Sequence, residues 1–499
     1  MEKAVVIRLK NGQMSEMEKC RDACKEKFDE ILSHVIGTKD EEAHRMEESV
    51  FRKLMELGLL LLQLYFASHN QGNYGKIIET AQGTADRGRT SSRTYFSIFG
   101  KLKVSRHIYH TANESFVPLD IVLNLPARCY SYFLCEFVNL LNIRGAYAET
   151  SGYLSKFFGL TLSVSALETV SDESSACYDD YYDIRNTLPK PIKEKDYTIV
   201  SFDGKGVPMI KKEAAKIVGR QGKGRKRQKK KEALVGTVYN IDGKPRSAGE
   251  VSANLVYPDK KGKSEKKEEK AQNIRYVASI EKSKKDVMEE IHKEVKNEDF
   301  TKNPMICVMD GMKYLWDLAQ AVFGDIPNKV FVLDIIHVLE YIWLIAHTLH
   351  KEGSDKAGQY VYEKLLLILQ GKVASYIMEL QTEMLSGRWK ESQLKKFRKV
   401  ITYLKNHRQY MKYDEYLAKG YPIGSGVVES ACGHVVRDRM EISGARWGIS
   451  GAESILNLRS LVKSKDWDEY WEFFTRQAGD NKFFPDGYNA LNVKEKIYA

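Results

Sequence analysis

The chain lacks the features that would place it in an oxidising compartment or a membrane. Its seven cysteines, at positions 20, 24, 129, 135, 177, 307 and 432, are an odd number spread over 499 residues, with no Cys-x-x-Cys pair. That density excludes a disulfide framework, and the spacing offers no zinc site. The opening MEKAVVIRLKNG has no long apolar core of the secretory type, and the most apolar stretch, residues 57–66, is too short to cross a bilayer. A soluble cytoplasmic protein with no membrane partner is therefore expected. Internal repeats are missing too, which removes the solenoid and propeller architectures.

What is present is enough apolar residue, 43% of the chain, to fill several packed cores. The net charge of +11 is moderate, but the positive charge is locally concentrated. A polyanionic partner, nucleic acid first, fits that pattern. Residues 15–69 repeat apolar side chains at helical spacing (Phe51, Leu54, Met55, Leu59, Leu62) and predict two or more amphipathic helices. RTYFSIFG and KLKVSRHIYH, meeting at Gly100, predict a β-hairpin. Beyond it, AYAETSGYLSKFFG and LTLSVSALETVSDESSA read as two helices broken at Gly159, with Ser163 or Ser165 as cap. This spacing suits a helix-turn-helix, as it suits any two-helix corner.

A composition shift at 188–195, with two prolines, marks a boundary. After it come strand candidates YTIVSF, ALVGTVYNI and VSANLVY, a helix in SKKDVMEEIHKEVKN, the strand MICVMD, a helix in YLWDLAQAVFG and the strand KVFVLD. Three strands, helix, strand, helix, strand is the order of a ribonuclease H-like mixed α/β core. The expected division is a helical N-terminal region (1–92), a hairpin and helical region that could read DNA (93–187), the first part of the core (188–345), an all-helical insertion (346–419), the second part of the core (420–465) and a tail (466–499).

Three acids stand out within this division. Asp203 and Asp310 each end an apolar β-type run just before a glycine, and Glu429 lies between the Gly-rich turn YPIGSG and a helix. Clustered carboxylates repel one another unless cations sit among them. Two divalent ions about 3.5–4 Å apart can activate a water or hydroxyl and stabilise a leaving oxyanion, the needs of phosphodiester cleavage. Asp203, Asp310 and Glu429 are accordingly the expected metal ligands. Asp334 competes with Asp310, but an acid on the fifth strand lies about twice as far from the central strand, at about 4.8 Å per strand. Asp334 and His337, three apart at a helix start, therefore read either as a pair supporting the metals or touching the scissile phosphate, or as a structural pair.

Seven cations and no carboxylate fall within 223–231: Lys223, Arg225, Lys226, Arg227, Lys229, Lys230 and Lys231. Such a run between the first two strands could reach phosphates beside the acids. The mixed run 260–275 reads as a solvated loop. Arg437, eight residues beyond Glu429, falls near its helical face, so DNA backbone contact is expected. Arg439 is placed in the same DNA-binding set, with a structural ion pair as the alternative. Arg446 beside Trp447 reads as a clamp or stacking element, with a buried Trp as the alternative.

The segments VSFDGKGVPM, VMDGMKYLWD, VLDIIHVLEYIW, YDEYLAKGYPIGSGVVESACGHVVRDRMEISGARWGISGAESILNLRS and DWDEYW, in that order, resemble the motif series of bacterial insertion-sequence transposases of the ISKra group, in the DDE superfamily. The likeness runs over residues 104–471. It implies a ribonuclease H-like nuclease core with a helical insertion, two magnesium ions replaceable by manganese, and a triad carried onto Asp203, Asp310 and Glu429. It also implies that Asp334-x-x-His337 matches the Cys/Asp-x-x-His signature of related transposases. The expected activity is metal-dependent cleavage and strand transfer at the inverted-repeat ends of its own element. Double-stranded DNA, both ends and target, would be the partner of a homo-oligomer associated with the nucleoid. A nuclease or resolvase without strand transfer, or a domesticated DNA-binding protein, are the rivals. Relatives often carry paired cysteines after the hairpin; YHTANESFVPLD stands there instead, which argues against a zinc-stabilised N-terminal reader.

Overall fold

The structure, a computed structural model, describes residues 15–80, 83–188, 195–217, 229–258, 270–387 and 389–483. The chain forms two compact units, Met1–Cys177 with Asp468–Ala499, and Tyr178–Trp467.

In the first unit the expected amphipathic helices are Glu16–Gly37 and Ala43–Ser68. Ser15 and Glu18 cap the first one reciprocally, satisfying two backbone N–H groups that the helix start leaves without partners. A meander follows, with β1 (Ile77–Thr80), β2 (Gly83–Ser97), β3 (Gly100–His110) and β4 (Ser115–Phe116) adjacent in chain order. The expected hairpin is β2–β3, closing at the Ser97–Gly100 pair. Helices Tyr147–Phe158 and Val164–Ser175 form the expected corner: Gly159 turns with φ 66°, and it is Ser163 that caps, accepting from the Ala166 N–H at 3.2 Å. The second of these helices carries Glu168, Asp172 and Glu173 and no Lys or Arg. Its charge opposes phosphate, so the corner brings no cation to a DNA backbone through that helix. Tyr470 of the C-terminal helix Trp467–Phe483 belongs to this unit, donating its hydroxyl to the Ser174 carbonyl at 2.5 Å.

The second unit is built on β5 (Tyr197–Pro208), β6 (Lys230–Ile241), β7 (Gln272–Ser279), β8 (Met305–Met309) and β9 (Lys329–Leu333). Their order across the sheet is β7-β6-β5-β8-β9. The β7–β6 and β6–β5 pairs are antiparallel, and the β5–β8 and β8–β9 pairs are parallel. This is the mixed sheet of a ribonuclease H-like core. MICVM of β8 is buried at every position, the pattern of a central parallel strand covered on both faces. Helix Lys284–Val295 adds Val287, Met288, Ile291 and Val295 to the core at helical spacing, and helix Lys313–Val322 adds Leu315, Trp316 and Ala319.

One expected strand is a helix. VSANLVY falls in helix Ala248–Val256, capped by the Ser247 side chain, which accepts from the Glu250 N–H at 3.2 Å. Val251 and Leu255 alternate with small polar residues, as in a strand, but are also four apart on one helix face. Packing decides between the two periods: the Ser252 hydroxyl donates to the Tyr362 carbonyl of helix Asp355–Leu369 at 3.0 Å. The third strand is instead β7, part of which lay in the run read as a solvated loop. After β9 the chain is helical, as expected, in Ile335–Leu349, Asp355–Leu369, Val373–Met384 and Glu391–His407. Buried side chains of these helices join the apolar core of the sheet itself. No helix among the described residues is long and apolar enough to cross a membrane.

Candidate functional site

Strand register puts three aspartates in one row. Phe202 of β5 pairs with Met309 of β8, and Met309 pairs with Leu333 of β9. Asp203, Asp310 and Asp334 each follow that row by one residue. They stand on three adjacent strands at the C-terminal edge of the parallel segment, where neighbouring chains are about 4.8 Å apart. The Asp334 N–H continues the ladder to the Met309 carbonyl at 2.9 Å.

Each aspartate is fixed by its surroundings. Asp334 is fully buried and caps helix Ile335–Leu349, accepting from the Ile336 N–H at 2.8 Å. Asp310 accepts from the Met312 N–H at 3.1 Å, and its carbonyl takes the Trp316 indole N–H. Gly311 is needed beside it, because a Cβ there would lie 2.3 Å from the Tyr403 ring. Tyr403 in turn stacks on Tyr341 at 3.9 Å, so the helical block presses directly on the strand end that carries Asp310. Asp203 accepts from the Gly204 N–H at 2.7 Å and from the Cys432 thiol. Burial pushes its carboxyl above the usual range, against the lowering effect of those two donors, and the nearby Asp310 charge adds to the rise.

The fourth acid comes from the far end of the helical block. The Ile335 N–H donates to the Ile423 carbonyl at 2.9 Å, which pins the YPIGSG turn beside the end of β9. Helix Gly426–Ala431 starts there and presents Glu429, which is exposed. Asp334, His337 and Glu429 each offer a ligand atom, and these three atoms lie within 4.8 Å of one another. The grouping reflects the pinned turn: strand order alone sets Asp334 farthest from β5, but Glu429 enters on the Asp334 side. Cys432, three residues after Glu429 on the same helical face, extends the cluster back to Asp203. It opens a π-helical stretch, Cys432–Arg437, a distortion common at functional sites.

Ser425 supplies a diagnostic detail. Its hydroxyl has one proton but lies against two carboxylates, Asp334 and, at 3.1 Å, Glu429 Oε1. One donor cannot serve both anions, and among the described residues Asp203, Asp310, Asp334 and Glu429 have no Lys or Arg ion-pair partner. Four acids, two of them sharing one hydroxyl proton, fit a site built around cations. The oxygen-rich donors suit magnesium or manganese, with the His337 nitrogen better matched to manganese.

The basic residues fare differently. Lys223, Arg225, Lys226 and Arg227 lie outside the described residues. Lys229 is exposed, Lys230 at the start of β6 pairs with Glu441, and Lys231 is half-buried opposite Val207. Arg437 is exposed, with its side chain 60% accessible and 3.7 Å from Asp438. Arg439, expected to face DNA, is buried at 2% exposure, with its guanidinium 4.6 Å from the Trp447 ring centroid. It packs the core and cannot reach a phosphate. Trp447 is buried as well, its indole donating to the Met440 carbonyl at 3.0 Å, which leaves exposed Arg446 without a stacking partner in that ring. The sequence reading passed over Ser425, Cys432 and Lys205. The first two lie four before and three after Glu429, a helical spacing that could have drawn notice, and Lys205 shares the strand face of Asp203.

No protein-family model matches the chain, and no curated protein matches it. Among solved structures the chain is similar to the Drosophila P element transposase strand transfer complex, at 10% identity over 74% of this chain and 84% of that one, with a TM-score of 0.23. A likeness so slight bears no weight for function, which rests on the residues themselves.

Proposed function

We propose that this protein is a DNA transposase of the DDE type, whose acid cluster performs metal-dependent strand cleavage and strand transfer at the ends of its own element. The observation that supports this best is the aspartate row with Glu429 brought to it and, among the described residues, no Lys or Arg ion-paired with either. Asp203, Asp310 and Glu429 would hold two magnesium ions, with Asp334 and His337 closing the Glu429 side. Such ions lower the pKa of a bound water or hydroxyl and offset the charge developing on the phosphate.

The chain's own groups prepare that chemistry. The Gly204 N–H and Cys432 S–H hold the Asp203 carboxylate in one orientation, and the Met312 N–H does the same for Asp310. Buried Asp334 is rigid, locked by its helix cap and by Ser425, so Glu429 is the acid free to adjust as substrate arrives. Lys205, two residues along the strand from Asp203, and exposed Arg437 provide positive charge for the DNA backbone.

Purified protein incubated with supercoiled DNA and a duplex carrying the element's ends should yield magnesium-dependent nicks and then joined products, with manganese substituting. Nicks without joined products would move the reading to a nuclease or resolvase. Joined products from Glu429→Gln would overturn the site altogether.

A further inference from the structure

Helix Glu391–His407 and the turn after it carry a second block of positive charge. Between Glu391 and Asp414 the chain has seven Lys or Arg and no Asp or Glu. Arg398 pairs back to Glu391 at 2.8 Å, and Lys412 lies 3.8 Å from Glu415. Among the described residues the other five, Lys395, Lys396, Lys399, Lys405 and Arg408, have no carboxylate within ion-pairing distance. All but Lys396 are exposed. Elsewhere in the same unit Lys282, Lys293 and Lys364 each reach a carboxylate, so unpaired charge in this number sets the helix apart.

The helix buries Phe397, Val400, Leu404 and His407 and turns part of its basic surface toward the acid row. Lys396, Lys399 and Tyr403, three and four residues apart, share one face. Tyr403 is the residue whose ring fills the space beside Gly311, next to Asp310. The Lys399 ammonium stands 5.1 Å from the Tyr341 ring centroid, and that ring stacks on Tyr403. An aromatic face holds a cation in place without neutralising it. Four carboxylates holding two divalent ions have no net positive charge, so attraction for a polyanion has to come from the rim. These lysines are cations on that rim.

We propose that this helix is a track for the backbone of duplex DNA, on which Lys396 and Lys399 neutralise the two phosphates flanking the one that is cut. This placement rests on the transposase reading of the acid row.

The test measures affinity of the full-length protein for a duplex as a function of salt, in chelator so that nothing is cut. Lys396→Gln combined with Lys399→Gln should flatten the slope of log affinity against log salt by about 1.8, from about 0.9 for each phosphate. Lys351→Gln, at an exposed lysine beyond the other end of helix Ile335–Leu349 from Asp334, should leave the slope unchanged. Once the cut made by the wild type with magnesium is mapped, neutral methylphosphonates at the two flanking phosphates should weaken binding by the wild type but not by the double variant. An unchanged slope in the double variant overturns the proposal, as does equal flattening by Lys351→Gln or an equal methylphosphonate loss in both proteins. In each of those outcomes the wild type still binds and cuts DNA, and the transposase reading stands. A wild type that neither binds nor cuts DNA overturns both.

Discussion

Two groups of carboxylates in the same unit are treated in opposite ways. Around buried Arg275 of β7, Asp179, Asp183, Glu290 and Glu294 each have a lysine or arginine within hydrogen-bonding reach. At the sheet edge, Asp203, Asp310, Asp334 and Glu429 have backbone N–H groups, one hydroxyl and one thiol, and among the described residues no Lys or Arg ion pair. The first arrangement is stable as it stands. The second holds a repulsion that a bound cation would relieve, the arrangement expected of a site kept for chemistry over stability.

The comparison breaks most sharply by substitution at the sheet edge. Glu429→Gln, Asp203→Asn and Asp310→Asn are each expected to lower magnesium-dependent cleavage by about a thousandfold or more, roughly 4 kcal/mol, with DNA binding within a few-fold of wild type. Asp334→Asn should leave measurable cleavage, since its buried oxygen still accepts from the Ile336 N–H. Single-turnover cleavage rates check all four, and an active Asp310→Asn beside a dead Asp334→Asn would exchange their roles.

The paired group should fail in stability and not in catalysis. Lys282→Met leaves Asp179 and Glu290 without their shared cation, and a loss of about 1–2 kcal/mol in denaturant unfolding is expected for a pair that is partly exposed. The cleavage rate per folded molecule should stay within about twofold of wild type.

A smaller effect concerns acidity. The carboxyl of folded Asp203 sits above its usual range, chiefly through burial. Stability tied to its neutral form is thus present below the ordinary carboxylate range and is lost as pH rises through the raised value. Asparagine carries no such charge. In chelator, Asp203→Asn should melt about a degree or two above wild type at neutral pH, and the gap should close as pH falls. A gap that widens on acidification would reverse the assignment of burial as the cause. Smallest of all, Lys229→Ser should flatten the slope of log affinity against log salt by about 0.9 if that exposed lysine neutralises one phosphate. Lys230→Ser should do less, because Glu441 already holds that ammonium.

Much of this was legible in the sequence because it is local. The runs ending at Asp203, Asp310 and Asp334 are apolar, bounded by glycine or a helix start, and their register follows from a parallel sheet. What escaped depended on distant pairing. VSANLVY alternates as a strand would, and only its packing on helix Asp355–Leu369 makes it a helix. Arg439 looks like a surface cation until Trp447 folds over it. The nearness of Glu429 to Asp334 depends on the Ser425 hydroxyl between them and on the bond between Ile335 and Ile423, and no local pattern announces that.

That bond has a consequence for how the helical block can change over time. The chain leaves the sheet at Asp334 and returns to the same place at Ile423, so the whole block is a loop whose two ends are held together. The entropy of closing a loop grows only with the logarithm of its length, about 0.6 kcal/mol per doubling. Residues could be inserted near Gly353, where the chain already turns with positive φ and an added Cβ would meet nothing within 4 Å, at little cost to closure and without moving Asp334 or Glu429. The region pressed against Asp310 through Tyr403 has no such freedom. Length variants there should lose the site, whereas length variants at the outer turn should keep it.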